Sequence, residues 1–165
     1  TTSALMMLAL GDAIIVSLHE AKGFSKDDFL TFHPGGKIGA NLIKIKDLML
    51  TGTAIPFINP DYSITRVAGI ITEKKLGCAI VVDNNQTLIG IITDGDLRRN
   101  IDKNLKALKA KNLMTRSPIF VAANILASEA LSIMNNKSIT ILPVNDHGKV
   151  IGIIHIHDIL KAGVA

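Results

Sequence analysis

The chain has 165 residues, enough for one ordinary domain or two small lobes, and a chain of this size buries roughly two-thirds of its unfolded surface. Hydrophobic residues make up 48% and aromatic residues 4%, so the predicted core is aliphatic. The net charge of +4 is spread along the chain without a basic block or interleaved aromatic side chains, which argues against sequence-reading nucleic-acid binding and suits an anionic small molecule.

The first predicted element is an apolar helix that begins at the N-cap hydroxyls of Thr1–Ser3 and ends near Gly23. Its most apolar stretch, residues 4–18, is shorter than the roughly 20 residues of a membrane span and contains Asp12, so a buried helix is favoured. No signal peptide is visible. A helix that is apolar nearly all round needs neighbours on several sides. We therefore expect the end of a larger domain, whose helix packs on a partner chain or exposes apolar surface.

From residue 46 onward the same order of elements occurs twice. The first copy contains KDLM (46–49), an extended segment (55–58), a helix capped at Asp61 or Ser63 that ends near Lys75, the strand CAIVV, the turn DNNQ (83–86), the strand TLIGIIT, and a helix opening at Asp94 or Asp96. The second contains KNLM (111–114), an extended segment (117–121), a helix capped near Asn124, the strand SITILPV, the turn NDHG (145–148), the strand KVIGIIH, and a short helix from His157. This order predicts a tandem duplication of a β-α-β-β-α element set.

Two landmarks fix the register of the repeat. The LM pairs of KDLM and KNLM are 65 residues apart, whereas the strand glycines Gly90 and Gly152 are 62 apart, so the copies differ by a three-residue insertion or deletion. A glycine inside a strand often marks close approach by another backbone or a ligand. Half-buried strands with one helix-covered face cannot form a stable core alone, so we expect the copies to dock as a pseudo-twofold pair, joined by a charged link at 100–111.

Cys78 lies in the apolar run CAIVV, so we interpret it as a small core residue rather than a reactive thiol. A sole cysteine cannot form an intrachain disulfide, which suits a reducing cytosol, and we expect a cytoplasmic protein.

Polar residues stand where the last strand of the first copy, in GIITDGDL, gives way to a helix. Asp94 and Asp96 can cap that helix, and for a single copy capping is the plain interpretation. A carboxylate at this junction, beside Thr93, can also accept the two hydroxyls of a ribose. Arg98, Arg99 or the helix N-terminus would then hold a phosphate.

The second copy, in GIIHIHDI, keeps an aspartate, Asp158, six residues after its glycine, but has His155 where the first copy has threonine. Leu160 and Lys161 occupy the positions of the two arginines, so the two sites are expected to be unequal. His155 and His157 can donate hydrogen bonds to phosphate or carboxylate, more strongly when protonated. They could also hold a metal, but no Cys or Glu accompanies them, and we predict no metal site.

Residues 46–165 resemble a tandem pair of cystathionine-β-synthase-type (CBS) domains. The family signature of glycine, two apolar residues, Ser/Thr, two spacers and aspartate falls on Gly90, Thr93 and Asp96, and His155 departs from it in the second copy. The resemblance implies an α+β fold and a regulatory module that binds adenosyl or other nucleotide ligands in the cleft between the copies. The equivalents of the family's other contact positions are Ile55, Pro56, Ser117, Pro118, Ser138, Thr140 and Pro143.

Residues 1–45 are similar to the end of the α/β sugar isomerase (SIS) domain that precedes the CBS pair in bacterial arabinose-5-phosphate isomerases. The motifs of that group occur here in order, as HPGG, TDGDLRR and H-x-HD. Those enzymes interconvert D-ribulose 5-phosphate and D-arabinose 5-phosphate for Kdo and lipopolysaccharide synthesis, by proton transfer through an enediol. The resemblance makes His33 the active-site histidine. From the residues alone, His33 is a loop residue beside a Pro-Gly-Gly turn.

The resemblance implies three parts: a C-terminal SIS remnant (1–45), CBS domain 1 (46–105) and CBS domain 2 (106–165). The family's other acid/base residues would lie upstream, so we expect this chain alone to be inactive and to require no cofactor. The expected regulatory ligand is CMP-Kdo, AMP or ATP. We expect a homo-oligomer, with a CBS–CBS dimer in a parent tetramer, and neither nucleic acid nor membrane as partner. Two alternatives stay open: a ligand-free oligomerisation scaffold, and a CBS protein unrelated to sugar isomerases.

Overall fold

The computed structural model describes residues 1–25, 28, 42–102 and 104–164, and divides into two compact units, an N-terminal unit (1–42) and a C-terminal unit (43–165). The N-terminal unit contains helix α1 (Thr2–Ala21), which follows the N-cap Thr1 and confirms the predicted helix. Gly23 has a φ of +62°, as expected of the glycine that ends a helix. His33 and the HPGG motif lie outside the described residues.

Helix α1 exposes its apolar side chains; Leu5, Met7 and Leu10, for example, are 69%, 70% and 63% exposed. The burial that the sequence favours is not found within the described chain, which leaves the expected alternative of exposed apolar surface. The helix has 20 residues, and by length and composition alone it could cross a membrane. Core helices of soluble proteins and signal sequences share this character, so one such helix is weak evidence.

The C-terminal unit contains both copies of the repeat and confirms the predicted α+β pair. The first copy comprises β1 (Phe57–Ile58), α2 (Ile64–Lys74), β2 (Cys78–Val82), β3 (Leu88–Thr93) and α3 (Asp94–Arg99). The link contains a 3-10 turn (Leu105–Ala107) and α4 (Ala110–Leu113), followed by β4 (Thr115–Arg116). The second copy comprises α5 (Ala127–Lys137), β5 (Ile141–Asp146), β6 (Lys149–His155) and α6 (Ile156–Lys161), and its first strand is reduced to a parallel bridge between Val121 and Val144.

Strand β2 is buried on both faces, which explains its unbroken apolar sequence. Cys78 packs in a cluster with Ile153 of the second copy, whereas Ala79 and Val81 pack with side chains of α2. One face of the first copy's sheet is therefore covered by its own helix and the other by the second copy. Burial, aided by the negative charge of Asp94, raises the pKa of the Cys78 thiol to about 12, which confirms its interpretation as a core residue.

The segment before each copy crosses to the other copy. The sheet of the first copy has the order β1-β2-β3-β4, so β4, which precedes the second copy, pairs antiparallel with β3 of the first. The segment before the first copy does the same in return. The N–H of Leu50 donates to the carbonyl of Ile153 at 2.8 Å, and the N–H of Ile153 donates to the carbonyl of Leu50 at 3.0 Å. The copies are interlocked by exchanged segments, which a β-α-β-β-α reading alone does not predict.

The exchange also explains where α5 begins. The cap predicted near Asn124 falls on Leu126, which makes no side-chain capping hydrogen bond, and the helix starts at Ala127, whose N–H donates to the carbonyl of Ile43 at 2.8 Å. The first N–H of α2 is bound in the same way, by the carbonyl of Leu108 at 3.2 Å, so in each copy a carbonyl from the segment before the other copy satisfies the first N–H of the helix. Helix α2 follows Ser63, one of its two predicted caps.

Gly90 and Gly152 make room for methionines of the exchanged segments. A Cβ atom on Gly90 would lie 2.7 Å from the Sδ of Met114. A Cβ atom on Gly152 would lie 2.5 Å from the Sδ of Met49 and 3.2 Å from the carbonyl oxygen of Leu50. The two landmarks of the repeat, the LM pair and the strand glycine, are thus contact partners between copies.

Left-handed backbone sets the limits of β5. Ser138, with φ +52°, ends α5, so the strand begins at Ile141 rather than at the predicted residue 138. At the other end, His147 and Gly148 have φ values of +46° and +87°. Two successive positive φ values characterise a two-residue type I′ hairpin, so the turn is shorter than the predicted NDHG.

Candidate functional site

A cavity of about 790 Å³ opens in the C-terminal unit, beside the ends of α2 and α5 and the carboxyl ends of β3 and β6. Both copies contribute to its wall, which combines isoleucine side chains with hydroxyl, carboxylate and cationic groups. Its volume is in the range of small-molecule sites. The lining residues are Lys75, Leu76, Gly77, Ile91, Thr93, Asp94, Gly95, Asp96, Arg99, Thr115, Ser117, Pro118, Ile119, Ser138, Ile139, Thr140, Ile141, Pro143 and His155.

Equivalent positions of the two copies face this one cavity. Thr93 and His155 lie 62 residues apart, and each caps the helix that follows the last strand of its copy. Lys75 and Ser138 each adopt left-handed backbone, with φ of +57° and +52°, at the ends of α2 and α5. The cavity thus lies across the pseudo-twofold relation of the repeat, and the paired positions differ in chemistry.

A capping box opens α3. Its N-cap is Thr93, not Asp94 or Asp96 as the sequence suggested. The Oδ2 of Asp96 accepts from the N–H and the hydroxyl of Thr93, both at 2.8 Å, and its Oδ1 accepts from Nη2 of Arg99 at 2.6 Å. Asp96 is 8% exposed, and both its carboxylate oxygens are already hydrogen-bonded. A ligand that reaches this carboxylate must compete with Arg99.

Replacing Asp96 by alanine should lower the free energy of unfolding by about 1–2 kcal/mol, because the substitution removes the box that closes the first turn of α3. The equivalent Asp158→Ala is the matched control, since α6 is capped by His155 instead, and it should cost less than about 0.5 kcal/mol. Urea denaturation of both variants measures the difference. Equal losses would contradict the role given to Asp96.

The second copy builds the equivalent junction from histidine. Nδ1 of His155 accepts the N–H of His157 at 3.1 Å and caps α6, which begins at Ile156, one residue before its predicted start. Because Nδ1 is the acceptor, the neutral ring carries its proton on Nε2. Burial lowers the pKa of His155 below its ordinary value, and the charges of His157 and Lys161 act in the same direction, against that of Asp158.

The charged side chains of the cavity wall are balanced in sign. Lys75 and Arg99 are cationic, and Asp94 and Asp96 are carboxylates, so their formal charges cancel while His155 is neutral. The side chain of Arg99 is 70% exposed. Its guanidinium is therefore accessible to a ligand anion, which competes for it with the buried carboxylate of Asp96.

The structure brings most of the predicted ligand-binding residues to this cavity: Thr93, Asp94, Asp96, Ser117, Pro118, Ser138, Thr140, Pro143 and His155 all line it. The others are not among its lining residues. Ile55 and Pro56 are buried, Arg98 and His157 are exposed, and Asp158 is partly exposed on α6. Their part in binding stays a prediction. Within the described ranges, no group of three or more His, Cys, Asp or Glu side chains could hold a metal ion.

Lys75 was not predicted from the sequence, which offered both Arg98 and Arg99 for the phosphate, and of these two only Arg99 is among the lining residues of the cavity. Arg99 follows Asp96 by three residues, a spacing that puts both on one face of a helix, so helical periodicity could have chosen between the arginines. Lys75 is the counterpart of Ser138, and transferring that position from the second copy to the first would have found it.

The CBS domain family model matches residues 45–103 and 110–165. The chain is 51% identical over 165 residues to the uncharacterized protein RP505 of Rickettsia prowazekii (strain Madrid E), covering all of this chain and 52% of that protein. It is 44% identical over 167 residues to arabinose 5-phosphate isomerase KdsD of Yersinia pestis, covering 99% of this chain and 51% of that enzyme. The chain spans about half the length of the curated relatives it matches.

Solved structures share the fold of the C-terminal unit. CBSX2, a CBS-pair protein of Arabidopsis thaliana, is 27% identical with a TM-score of 0.64, over 73% of this chain and 93% of that one. The complex of CBSX2 with AMP is 25% identical with a TM-score of 0.65, over 73% of this chain and 95% of that one. The CBS pair of MJ0100, in complex with 5′-methylthioadenosine and S-adenosyl-L-methionine, is 25% identical with a TM-score of 0.66, over 73% of this chain and 94% of that one. The family matches and the shared fold agree with the duplicated element order: the chain belongs to the CBS-domain family, as a tandem CBS pair.

Proposed function

We propose that residues 43–165 form the ligand-sensing regulatory module of a D-arabinose 5-phosphate isomerase, an enzyme that interconverts D-arabinose 5-phosphate and D-ribulose 5-phosphate for Kdo and lipopolysaccharide synthesis. The similarity to KdsD over the whole chain supports the enzyme class. The ligand is an anionic nucleotide or nucleotide sugar, with CMP-Kdo, AMP and ATP as candidates. The complexes of CBSX2 with AMP, and of the CBS pair of MJ0100 with 5′-methylthioadenosine and S-adenosyl-L-methionine, support a ligand of the nucleoside and nucleotide class.

The observation that carries the proposal is the composition of the cavity wall. The side chains of Ile91, Ile119, Ile139 and Ile141 supply apolar surface on which a base can lie. Asp94 and Asp96 supply acceptors for sugar hydroxyls, and Lys75 and Arg99 supply donors for a phosphate. These are the three chemical requirements of a nucleotide.

Residues 1–45 belong, in this proposal, to the SIS domain of the same cytoplasmic enzyme, and CBS domains 1 and 2 occupy residues 46–105 and 106–165. His33 would be the general acid/base of the enediol proton transfer in that domain.

Isothermal titration of the chain with CMP-Kdo, AMP and ATP tests the sensor. At least one of them should bind with one molecule per chain. Ile119→Asp places a carboxylate in the cavity wall and should weaken binding at least about tenfold through repulsion of the anion. Ile101→Asp, at a 69% exposed position of the link, is the matched control and should bind normally. Failure of all three ligands, or equal weakening in both variants, would refute the sensor.

An oligomerisation scaffold is the second candidate. Phe120, Ile151 and Leu160 are 54%, 36% and 47% exposed, and such apolar side chains would be covered in a CBS–CBS dimer. Sedimentation with and without nucleotide separates the candidates. A tight dimer that responds to no nucleotide in mass or thermal stability would favour the scaffold.

A further inference from the structure

The cavity contains a group that can change its charge near neutral pH, and it stands where the two copies differ. His155 lines the cavity at the position that Thr93 occupies in the first copy. The two cationic and two acidic side chains of the wall cancel formally, so an anion that enters meets no net positive charge while the imidazole is neutral. Protonation of His155 would give the cavity wall a net positive charge, opposite in sign to an anionic ligand.

The groups around His155 leave one ring edge for a ligand. Its Nδ1 is occupied by the N–H of His157, while Nε2 carries the proton of the neutral ring and is the remaining donor. In β5 its pairing partner is the uncharged Ile141. The charged or titratable groups that act on it are His157, Asp158 and Lys161 of the helix that it caps, and the wall of the same cavity also carries Lys75, Asp94, Asp96 and Arg99.

We infer that the anionic group of the ligand lies against the imidazole of His155, and that binding draws one proton onto that ring. This inference rests on the proposed nucleotide site and assigns it a proton-linked contact. In the free protein, burial lowers the pKa of His155, which favours the neutral ring. A bound anion beside the ring has the opposite effect, because it favours the charged form.

The sign of the pH dependence follows from this difference. Between the lower pKa of the free ring and the higher pKa of the complex, binding takes up one proton, so affinity rises up to about tenfold for each unit by which pH falls. Below the pKa of the free ring the affinity becomes constant. Protonation also removes the lone pair with which Nδ1 accepts the N–H of His157, so the first turn of α6 loses its cap when proton and ligand bind.

Titration calorimetry of the full chain tests the inference, with CMP-Kdo and AMP as probes in buffers of different ionisation enthalpy between about pH 5.5 and 8.5. His155→Thr is the matched variant, because the first copy uses threonine as the same cap. The phosphodiester and carboxylate of CMP-Kdo do not titrate in this range. The phosphate of AMP does, near pH 6, and a contact with His155 would shift that titration as well, so CMP-Kdo gives the more direct measure. Wild type should take up close to one proton more than His155→Thr, and the exposed His157→Gln should keep most of that difference.

Equal proton uptake by wild type and His155→Thr, with binding retained, would overturn this inference and leave the nucleotide site standing. Failure of CMP-Kdo, AMP and ATP alike to bind wild type would overturn both. Nitrogen NMR of the His155 ring in wild type decides the matter without a variant. The pH midpoint of the His155 titration must rise on addition of the probe, with a matching shift of the His157 amide signal. An unchanged midpoint overturns the inference.

Discussion

Gly152→Ala should lower the free energy of unfolding of the C-terminal unit by about 1–3 kcal/mol, the cost of inserting a methyl group into a packed contact. The new Cβ would lie 2.5 Å from the Sδ of Met49, a side chain that can move. It would also lie 3.2 Å from the carbonyl oxygen of Leu50, which accepts a hydrogen bond from Ile153 and cannot move without disturbing the exchanged segment. Urea denaturation followed by circular dichroism measures the loss.

Gly90, the equivalent glycine of the first copy, allows crowding against a side chain to be compared with crowding against the backbone. A Cβ on Gly90 would crowd only the side chain of Met114 among the three nearest atoms, so adding Met114→Ala to Gly90→Ala should recover at least about 1 kcal/mol relative to additivity. Met49→Ala should rescue Gly152→Ala less, because the carbonyl of Leu50 stays in place. Gly69→Ala, in α2 with nothing near its would-be Cβ, is the control and should stabilise by about 0.5–1 kcal/mol. If Gly152→Ala behaved like Gly69→Ala, the interlocked contact would be wrong.

Arg99→Ala should weaken binding of an anionic nucleotide by about 10- to 100-fold, the loss expected of hydrogen bonds to a charged group worth about 1.5–3 kcal/mol. Arg99 lines the cavity and is held there by Asp96, and in the proposed complex its guanidinium passes from that carboxylate to the phosphate. Titration calorimetry of the variant with the nucleotide that binds wild type measures the change.

Arg98→Ala is the control that the chain itself provides. Arg98 is the next residue along the same helix, carries the same charge, is exposed, and is not among the lining residues of the cavity. Its removal should change affinity by less than about twofold, since it contributes only a screened charge. Equal effects of the two variants would mean that general charge, not the cavity, attracts the ligand. A larger effect of Arg98→Ala would mean that Arg98, and not Arg99, holds the phosphate.

The duplicated fold could be predicted because its signals are local. Strand β2 lies within the bounds that CAIVV indicated, and the side chain of Ser63 caps α2 by accepting the N–H of Arg66. The start of α5 could not be predicted in this way. Leu126, the residue before its first turn, makes no side-chain capping hydrogen bond, and the N–H of Ala127 is bound by the carbonyl of Ile43, more than eighty residues away in sequence.

The residues of the candidate site could be predicted where the two copies of the repeat could be compared. The polar junctions at Thr93 and His155 stood out because the two copies could be compared, and both line the cavity. The role of Asp96 was harder to foresee. A sequence shows a carboxylate at a strand end, but whether its oxygens face a ligand or close a capping box depends on the rotamer and on Arg99.

NMR of the chain with labelled isoleucine methyl groups, titrated with CMP-Kdo, AMP and ATP, tests whether an anionic nucleotide binds where the two copies meet. We expect the methyl signals of the cavity residues Ile91, Ile119, Ile139 and Ile141 to shift together. Those of the core residues Ile58, Ile64 and Ile71 should stay in place. Shifts confined to Ile14 and Ile15 of α1, or no shifts with any of the three, would contradict it.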